Sequence, residues 1–397
     1  MSTLEFALFG AEPTFAQPMP VGQRYFPSWD RYQDAFRGIF ERQYYTEYGP
    51  LNQQLEQKLQ QFLGVKNAIC VTNETVGMMM VAGALGLTGK VILPELATAG
   101  AVASLRWAGL DPVICGVNPE TLQIDVGQVG ALIDDGVSAI FGMHAYGGAC
   151  DVNALVEVAE SRGVQLYFDA SHAFGCEIKG TYLGNFGIAE VFSFHQDNIL
   201  NATEGGCVCT NDDELAARLR TMRSSAGAGR PVEVAKTVNG RMAEAQCAIA
   251  LLNLEDFAQN RQNNETLHLL YETLLATIPG MQLVKPGGVS YSNYQNLVCR
   301  VDENDFGISR DRLVALLKAE NVDARRNFRP GLHRGIPFEQ ELPQHLERMK
   351  YTDSLSALCV QLPIGALVSA QDVERICAVL SRAHQEAPAI RKRNWPS

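Results

Sequence analysis

The sequence is short of charge, and of positive charge above all. Charged residues fill 19% of its 397 positions, and 33 Lys and Arg stand against 44 Asp and Glu, a formal charge of −11. That balance repels nucleic-acid phosphates unless cations gather on one face. The one basic run, Arg391-Lys392-Arg393, reads as a solvated tail, so nucleic acid is not an expected partner. The ten cysteines form no CxxC pair and no Cys/His group of zinc spacing. No window approaches the roughly 18 uncharged apolar residues of a membrane span, and Met1 to Glu5 lacks a basic leader pattern. A cytoplasmic chain with buried, reduced thiols is expected, neither secreted nor membrane-spanning. Cys207 and Cys209 alternate in one probable strand and share a face, where packing outweighs a metal pair. Low-complexity tracts and internal repeats are absent as well.

What is present is a packable chain, 46% hydrophobic and long enough for two regions. Between residues 50 and 220, β-rich runs alternate with helical patterns: Ala68–Thr72, Val91–Pro94, Pro112–Gly116, Ala139–Met143, Val164–Asp169, Val191–His195 and Gly206–Thr210. Such alternation predicts an α/β fold, a mostly parallel sheet covered by helices on both faces. Asp151–Arg162 predicts a helix with Asp151 as N-cap and Gly163 as its stop. Beyond a helical stretch from Met242 to Ile278 the elements thin out to a strand at Asn296–Val301, a helix at Arg310–Glu320, a strand at Cys359–Pro363 and a helix capped by Ser369-x-x-Asp372. The expected division is a large α/β domain over 1–257, N-terminal segment included, and a smaller C-terminal α+β domain over 258–397.

In open α/β sheets ligands sit at the carboxyl ends of strands. Three such ends carry polar residues. Thr72-Asn73-Glu74-Thr75-Val76 leads from strand into helix, a place that suits phosphate. Phe168-Asp169-Ala170-Ser171-His172 ends a strand in a carboxylate, either a helix cap or a partner for a cation. Val191 to Asn198 ends in Ser193, His195 and Asn198.

Taken in order, these segments resemble the DegT/StrS family of nucleotide-sugar aminotransferases, over nearly the whole chain. Gly49-Pro50 with Leu55-Glu56 and Phe62-Leu63-Gly64-Val65 is similar to the family's opening, and Asn118-Pro119-Glu120-Thr121-Leu122-Gln123-Ile124-Asp125 matches a stretch many members carry. His144-Ala145-Tyr146-Gly147, the Asp169 and Ser193 segments, Val238-Asn239-Gly240-Arg241-Met242-Ala243-Glu244 and Ala324-Arg325-Arg326-Asn327-Phe328 complete the series. The resemblance implies the type I aspartate-aminotransferase fold and a pyridoxal 5′-phosphate (PLP) cofactor. It implies that Asp169 holds the protonated pyridine nitrogen and that His172 lies near the ring's phenolic oxygen. Thr75, the N–H of Val76, and Ser193 would hold the phosphate, and Asn239 would reach it from the other subunit of a homodimer with shared active sites.

The chain departs from the family where chemistry is concentrated. Members carry, at the sixth residue counted from the strand's Ser, the Lys that forms the Schiff base; here that residue is Asn198. An amide neither forms that bond nor shuttles a proton, a function worth roughly 10²–10⁴-fold. Of the nine lysines, Lys179 and Lys236 lie nearest the site segments in sequence, and both read as surface residues. The aromatic residue expected to stack on the cofactor ring is replaced at Thr98, Glu74 stands where a Gly precedes the phosphate Thr, and Gln196-Asp197 replaces a small residue and Thr. Asn327 and Arg329 stand where members commonly carry tyrosines.

Three functions follow from this pattern. The first is an enzyme that binds PLP or pyridoxamine 5′-phosphate (PMP) non-covalently and acts on a keto sugar, with His195 or His172 having to serve as the base; family dehydratases that use PMP with His in place of Lys are its precedent. The second keeps the scaffold and abandons the cofactor, as a cofactor-independent enzyme or a binding protein. The third is a conventional aminotransferase altered at position 198.

Overall fold

The computed structural model describes residues 6–46, 48–224, 232–326, 332, 357–393 and 395. Seven strands form the central sheet: β1 (Asn67–Val71), β2 (Lys90–Pro94), β3 (Asp111–Cys115), β4 (Val137–Met143), β5 (Gln165–Asp169), β8 (Ala189–Ser193) and β9 (Gly206–Thr210). Between β5 and β8 lies a two-stranded hairpin, β6 (Glu177–Ile178) with β7 (Thr181–Tyr182). The sheet order is β1-β9-β8-β5-β4-β2-β3, and β9 alone runs against the rest. The α/β expectation is met, with all seven anticipated runs present as strands.

Strand periodicity explains why both faces are covered. Ile69 and Val71 point into one core with Val191 and Val208, while Ala68 and Cys70 point into the other with Phe192, Cys207 and Cys209. Every residue of β1, β8 and β9 is buried, as a sheet covered on both faces requires. The Sγ atoms of Cys207 and Cys209 stand 3.9 Å apart inside this packing, and all ten cysteines are buried and free. Among the described residues no group of three His, Cys, Asp or Glu could hold a metal ion, and no helix is long and apolar enough to cross a membrane.

Local signals set the helix ends. Asp151 Oδ1 accepts from the N–H of Ala154 at 3.2 Å, and Gly163, at φ +66°, stops the helix Val152–Arg162. Ser369 and Asp372 form a reciprocal capping box on the helix Ala370–Gln385. A second, antiparallel sheet of β10 (Met281–Leu283), β11 (Leu297–Val301) and β12 (Cys359–Leu362) forms the C-terminal part. The three-residue β10 and the β6–β7 hairpin were not anticipated, being too short to show a period. One 32-residue helix, Glu244–Leu275, runs across residues 257 and 258. Its Cys247, Ala250 and Phe257 pack in the large core, and its Leu267, Tyr271 and Leu275 pack in the C-terminal core, which also takes Phe6 and Phe15 from the N-terminal segment.

Candidate active site

The carboxyl ends of β1, β5 and β8 open on a cleft of about 620 Å³. Thr75, Val76, Thr98, His172, Ser193, His195 and Asn198 all line it, together with Glu74, Ser171, Asp197, Glu204 and Arg325. Six parallel strands end at this edge, so residues scattered over more than a hundred positions meet there.

Asp169, the last residue of β5, lies fully buried beside this cleft. Its Oδ1 accepts from the N–H of Ser171 at 2.9 Å and stands 2.5 Å from the Ser171 hydroxyl. Its Oδ2 is buried with no partner. The same hydroxyl is 2.8 Å from Glu74 Oε2. Burial, and after it the Glu74 charge, pushes the Asp169 carboxyl up to about 7. His172 stacks nearly parallel on Tyr146 with ring centres 5.8 Å apart, and its Nδ1 accepts from the Tyr146 N–H at 3.4 Å. Burial holds its pKa below the usual imidazole value, so the ring is neutral.

The turn after β1 is more committed than the sequence implied. Asn73 caps the helix Glu74–Ala84 by accepting the N–H of Val76 at 2.9 Å, so that donor, expected on a phosphate, is already in use. Thr98 caps the helix Ala99–Trp107 through the N–H of Ala101 at 3.1 Å. The Thr75 hydroxyl faces Gly100, where a Cβ would come within 2.8 Å of it. Ser193 Oγ accepts from the N–H of His195 at 3.3 Å and keeps its own proton to donate. Asn239 is exposed and does not line the cleft of its own chain; its neighbour Gly240 accepts from the N–H of Thr72 at 2.8 Å, which holds this segment beside the end of β1.

Asn198 is fixed by its own side chain. Nδ2 donates to the Ser193 carbonyl at 3.0 Å, and Oδ1 accepts from Gln295 Nε2 at 3.2 Å. Gln295 accepts in turn from the N–H of Ile199 and, through its carbonyl, from Gln23 Nε2, while Gln23 Oε1 accepts from Asn264. This ladder of amides ties the cleft to the N-terminal segment and to the long helix. Asp197 lies between Arg24 Nε at 3.3 Å and Arg325 Nη1 at 2.8 Å. Gly22, at φ +99°, gives the Asp197 side chain room, since a Cβ there would stand 2.6 Å from Oδ1. His195 is part-exposed, with Nδ1 accepting from the N–H of Asp197 at 3.3 Å and Nε2 3.8 Å from Glu204.

Gln295, Gln23, Arg325 and Glu204 were not singled out from the sequence as site residues. Only long-range pairing reveals them. Lys179 is exposed between β6 and β7, Lys236 is exposed over the Trp107 ring, and among the described residues no lysine lines the cleft. Asn327 and Arg329 lie outside the described residues.

The residues present fit a pyridine cofactor at one end. A buried carboxylate oxygen without a partner matches a ring N–H⁺. The Ser193 and Thr75 hydroxyls match a phosphate at the other end.

Comparison with known proteins finds a matching family and several relatives. The model of the DegT/DnrJ/EryC1/StrS aminotransferase family matches residues 30–381. The dTDP-4-amino-4,6-dideoxy-D-glucose transaminase of Shigella dysenteriae is 32% identical over 317 residues, 79% of this chain and 85% of that protein. The Escherichia coli transaminase of the same name is 27% identical over 365 residues, 91% of this chain and 98% of its own. The crystal structure of DesI in the presence of its TDP-sugar product superposes with a TM-score of 0.90 at 32% identity, covering 98% of this chain and 99% of that one. PseC of Helicobacter pylori, an aminotransferase of pseudoaminic acid biosynthesis, shares the fold at a TM-score of 0.85 and 20% identity, over 93% and 100% of the two chains.

Proposed function

Because the chain belongs to the DegT/DnrJ/EryC1/StrS family of sugar aminotransferases, we propose that it binds PLP or PMP without a covalent bond and acts on a keto sugar. The dTDP-sugar and TDP-sugar named for its relatives support a nucleotide-linked sugar or a similar small molecule as the substrate class. The observation that carries this reading is the unpartnered Asp169 Oδ2 beside a cleft whose lysine position holds Asn198.

When bound, the cofactor supplies an electron sink through its protonated ring. Asp169 holds the ring nitrogen, and neutral His172 lies against the ring's oxygen side. Ser193 and Thr75 donate to the phosphate, with Asn239 reaching over from a second subunit of a homodimer. Exposed Trp29, Phe40 and Tyr45 support such a partner, being apolar surface that a second copy would cover. His195, part-exposed at the cleft mouth, can take up and return a proton, which Asn198 cannot. Ordinary transamination is therefore disfavoured, and a PMP-dependent, dehydratase-like reaction suits these residues better. Ten cysteines kept as buried thiols support a cytoplasmic location.

Two features favour the cofactor-free alternative: the Glu74 carboxylate in the cleft and the engaged N–H of Val76. The two side-chain bonds of Asn198 speak against a conventional enzyme merely altered at that position, because its surroundings match an amide. Reductive trapping tests the non-covalent reading. After incubation with PLP and borohydride, the intact mass is expected to stay that of the bare chain; a stoichiometric cofactor adduct overturns it.

A further inference from the structure

Glu74 has no task in the scheme above, yet its half-buried side chain is held by contact. Its Oε2 stands 2.8 Å from Ser171 Oγ, and that serine oxygen stands 2.5 Å from Asp169 Oδ1. A hydroxyl carries one proton and donates to one acceptor at a time. The second oxygen–oxygen contact is also of hydrogen-bond length, so a carboxyl proton must fill it by donating to the serine oxygen. We infer that Glu74, Ser171 and Asp169 share an extra proton in the ligand-free cleft and form a site for one cationic nitrogen, a ring N–H⁺ or an ammonium, which enters as that proton leaves.

An independent observation points to a ligand. Asp169 Oδ2, on a fully buried side chain, has no partner, although a buried carboxylate oxygen costs free energy until something donates to it. The neighbouring charges do not fill that role. His172 is neutral in the cleft wall. His144, on the far side of Asp169, accepts from the Cys150 N–H at Nδ1 and donates from Nε2 to Glu190 at 3.0 Å, whose other oxygen accepts from the N–H of Phe186. Arg325 is taken by Asp197 and Asp323, and His195 leans toward Glu204. Among the described residues, no Arg or Lys pairs with Glu74 or Asp169. Two carboxylates joined through one serine hydroxyl, one of them fully buried, cannot both be ionised cheaply, so one keeps a proton until a cation replaces it.

The exchange balances: one proton leaves the carboxyl for solvent and one cation takes its place. Binding that releases a proton strengthens with pH, up to about tenfold per unit while the pair is protonated. The inference rests on the cofactor reading only in its choice of probe, PMP. Infrared difference spectra of the ligand-free protein at pH 6.5 are expected to show the carbonyl stretch of a protonated carboxyl, lost in Glu74→Gln and in Asp169→Asn. Calorimetry with PMP in two buffers of different ionisation heat is expected to count about one proton released by the wild type and close to none by Glu74→Gln. No carboxyl band in the wild type overturns the inference, as does PMP binding without proton release. If PMP does not bind, the cofactor reading fails and the pair is judged on the band alone: removal by both substitutions supports it, absence overturns it.

Discussion

Gln295 Nε2 donates to Asn198 Oδ1 across 3.2 Å, linking two residues 97 positions apart at the wall of the cleft. Asn198 both accepts and donates there, passing the link on to the Ser193 carbonyl. A lysine ammonium can donate but cannot accept. Asn198→Lys is therefore expected to lower stability by about 1–3 kcal/mol, the usual result of stranding a buried polar group. Urea unfolding measures it. A Lys variant as stable as the wild type that also attaches PLP covalently would restore the conventional-aminotransferase reading.

The raised Asp169 pKa has a definite consequence for stability against pH. A carboxyl whose folded pKa lies near 7, above its ordinary 3.8, binds its proton more tightly in the folded state. Its contribution is thus greatest at acid pH and is lost as pH climbs from about 4 through 7. Asp169→Asn removes that dependence, so between pH 5 and 8 the variant is expected to gain roughly 1–4 kcal/mol relative to the wild type. Parallel stability curves for the two proteins across this range contradict the assignment.

Beneath the sheet end, Arg223 Nη1 meets Glu56 Oε1 at 2.5 Å with both side chains buried, and the same nitrogen donates to the Cys70 carbonyl. Glu56→Gln leaves the guanidinium without its counter-charge. A loss of about 3–5 kcal/mol is expected, as for other buried pairs broken on one side. Thermal or urea melts check it, and a change below about 1 kcal/mol shows that the pair is not the support for β1 that its burial implies.

Shared active sites can be tested by mixing. Asp169→Asn and Asn239→Ala chains should each bind PMP poorly as pure proteins. A mixed dimer has one cleft with Asp169 intact and Asn239 supplied by its partner. Recovery toward about a quarter of the wild-type binding capacity is expected after equal amounts of the two are unfolded and refolded together, because random pairing makes half of the dimers mixed and each mixed dimer holds one intact cleft of two. No recovery shows that Asn239 serves its own chain or none.

Much of the sheet was legible in the sequence because each strand is a short apolar run bounded by turn residues, as Gly206–Thr210 illustrates. The strand ends were legible too, since β5 stops at Asp169 and β8 at Ser193, so the candidate residues fell on one edge. What stayed hidden depends on distance along the chain. Gln295 reaches Asn198, Arg325 reaches Asp197 over 128 positions, and Glu74 reaches Ser171 over 97; no local period records such pairs. The occupied N–H of Val76 was hidden for a different reason. Asn73 was visible as part of a strand–helix turn, but a cap and a phosphate site draw on the same free N–H groups.

The central claim, a cofactor held without lysine, is tested most directly by equilibrium titration of the purified chain with PMP, following heat and absorbance together. Saturable binding of one PMP per chain, weakened at least tenfold by Asp169→Ala, is the predicted result. No binding of PMP or PLP by the wild type contradicts the claim and gives the cleft to a chemistry that does without the cofactor.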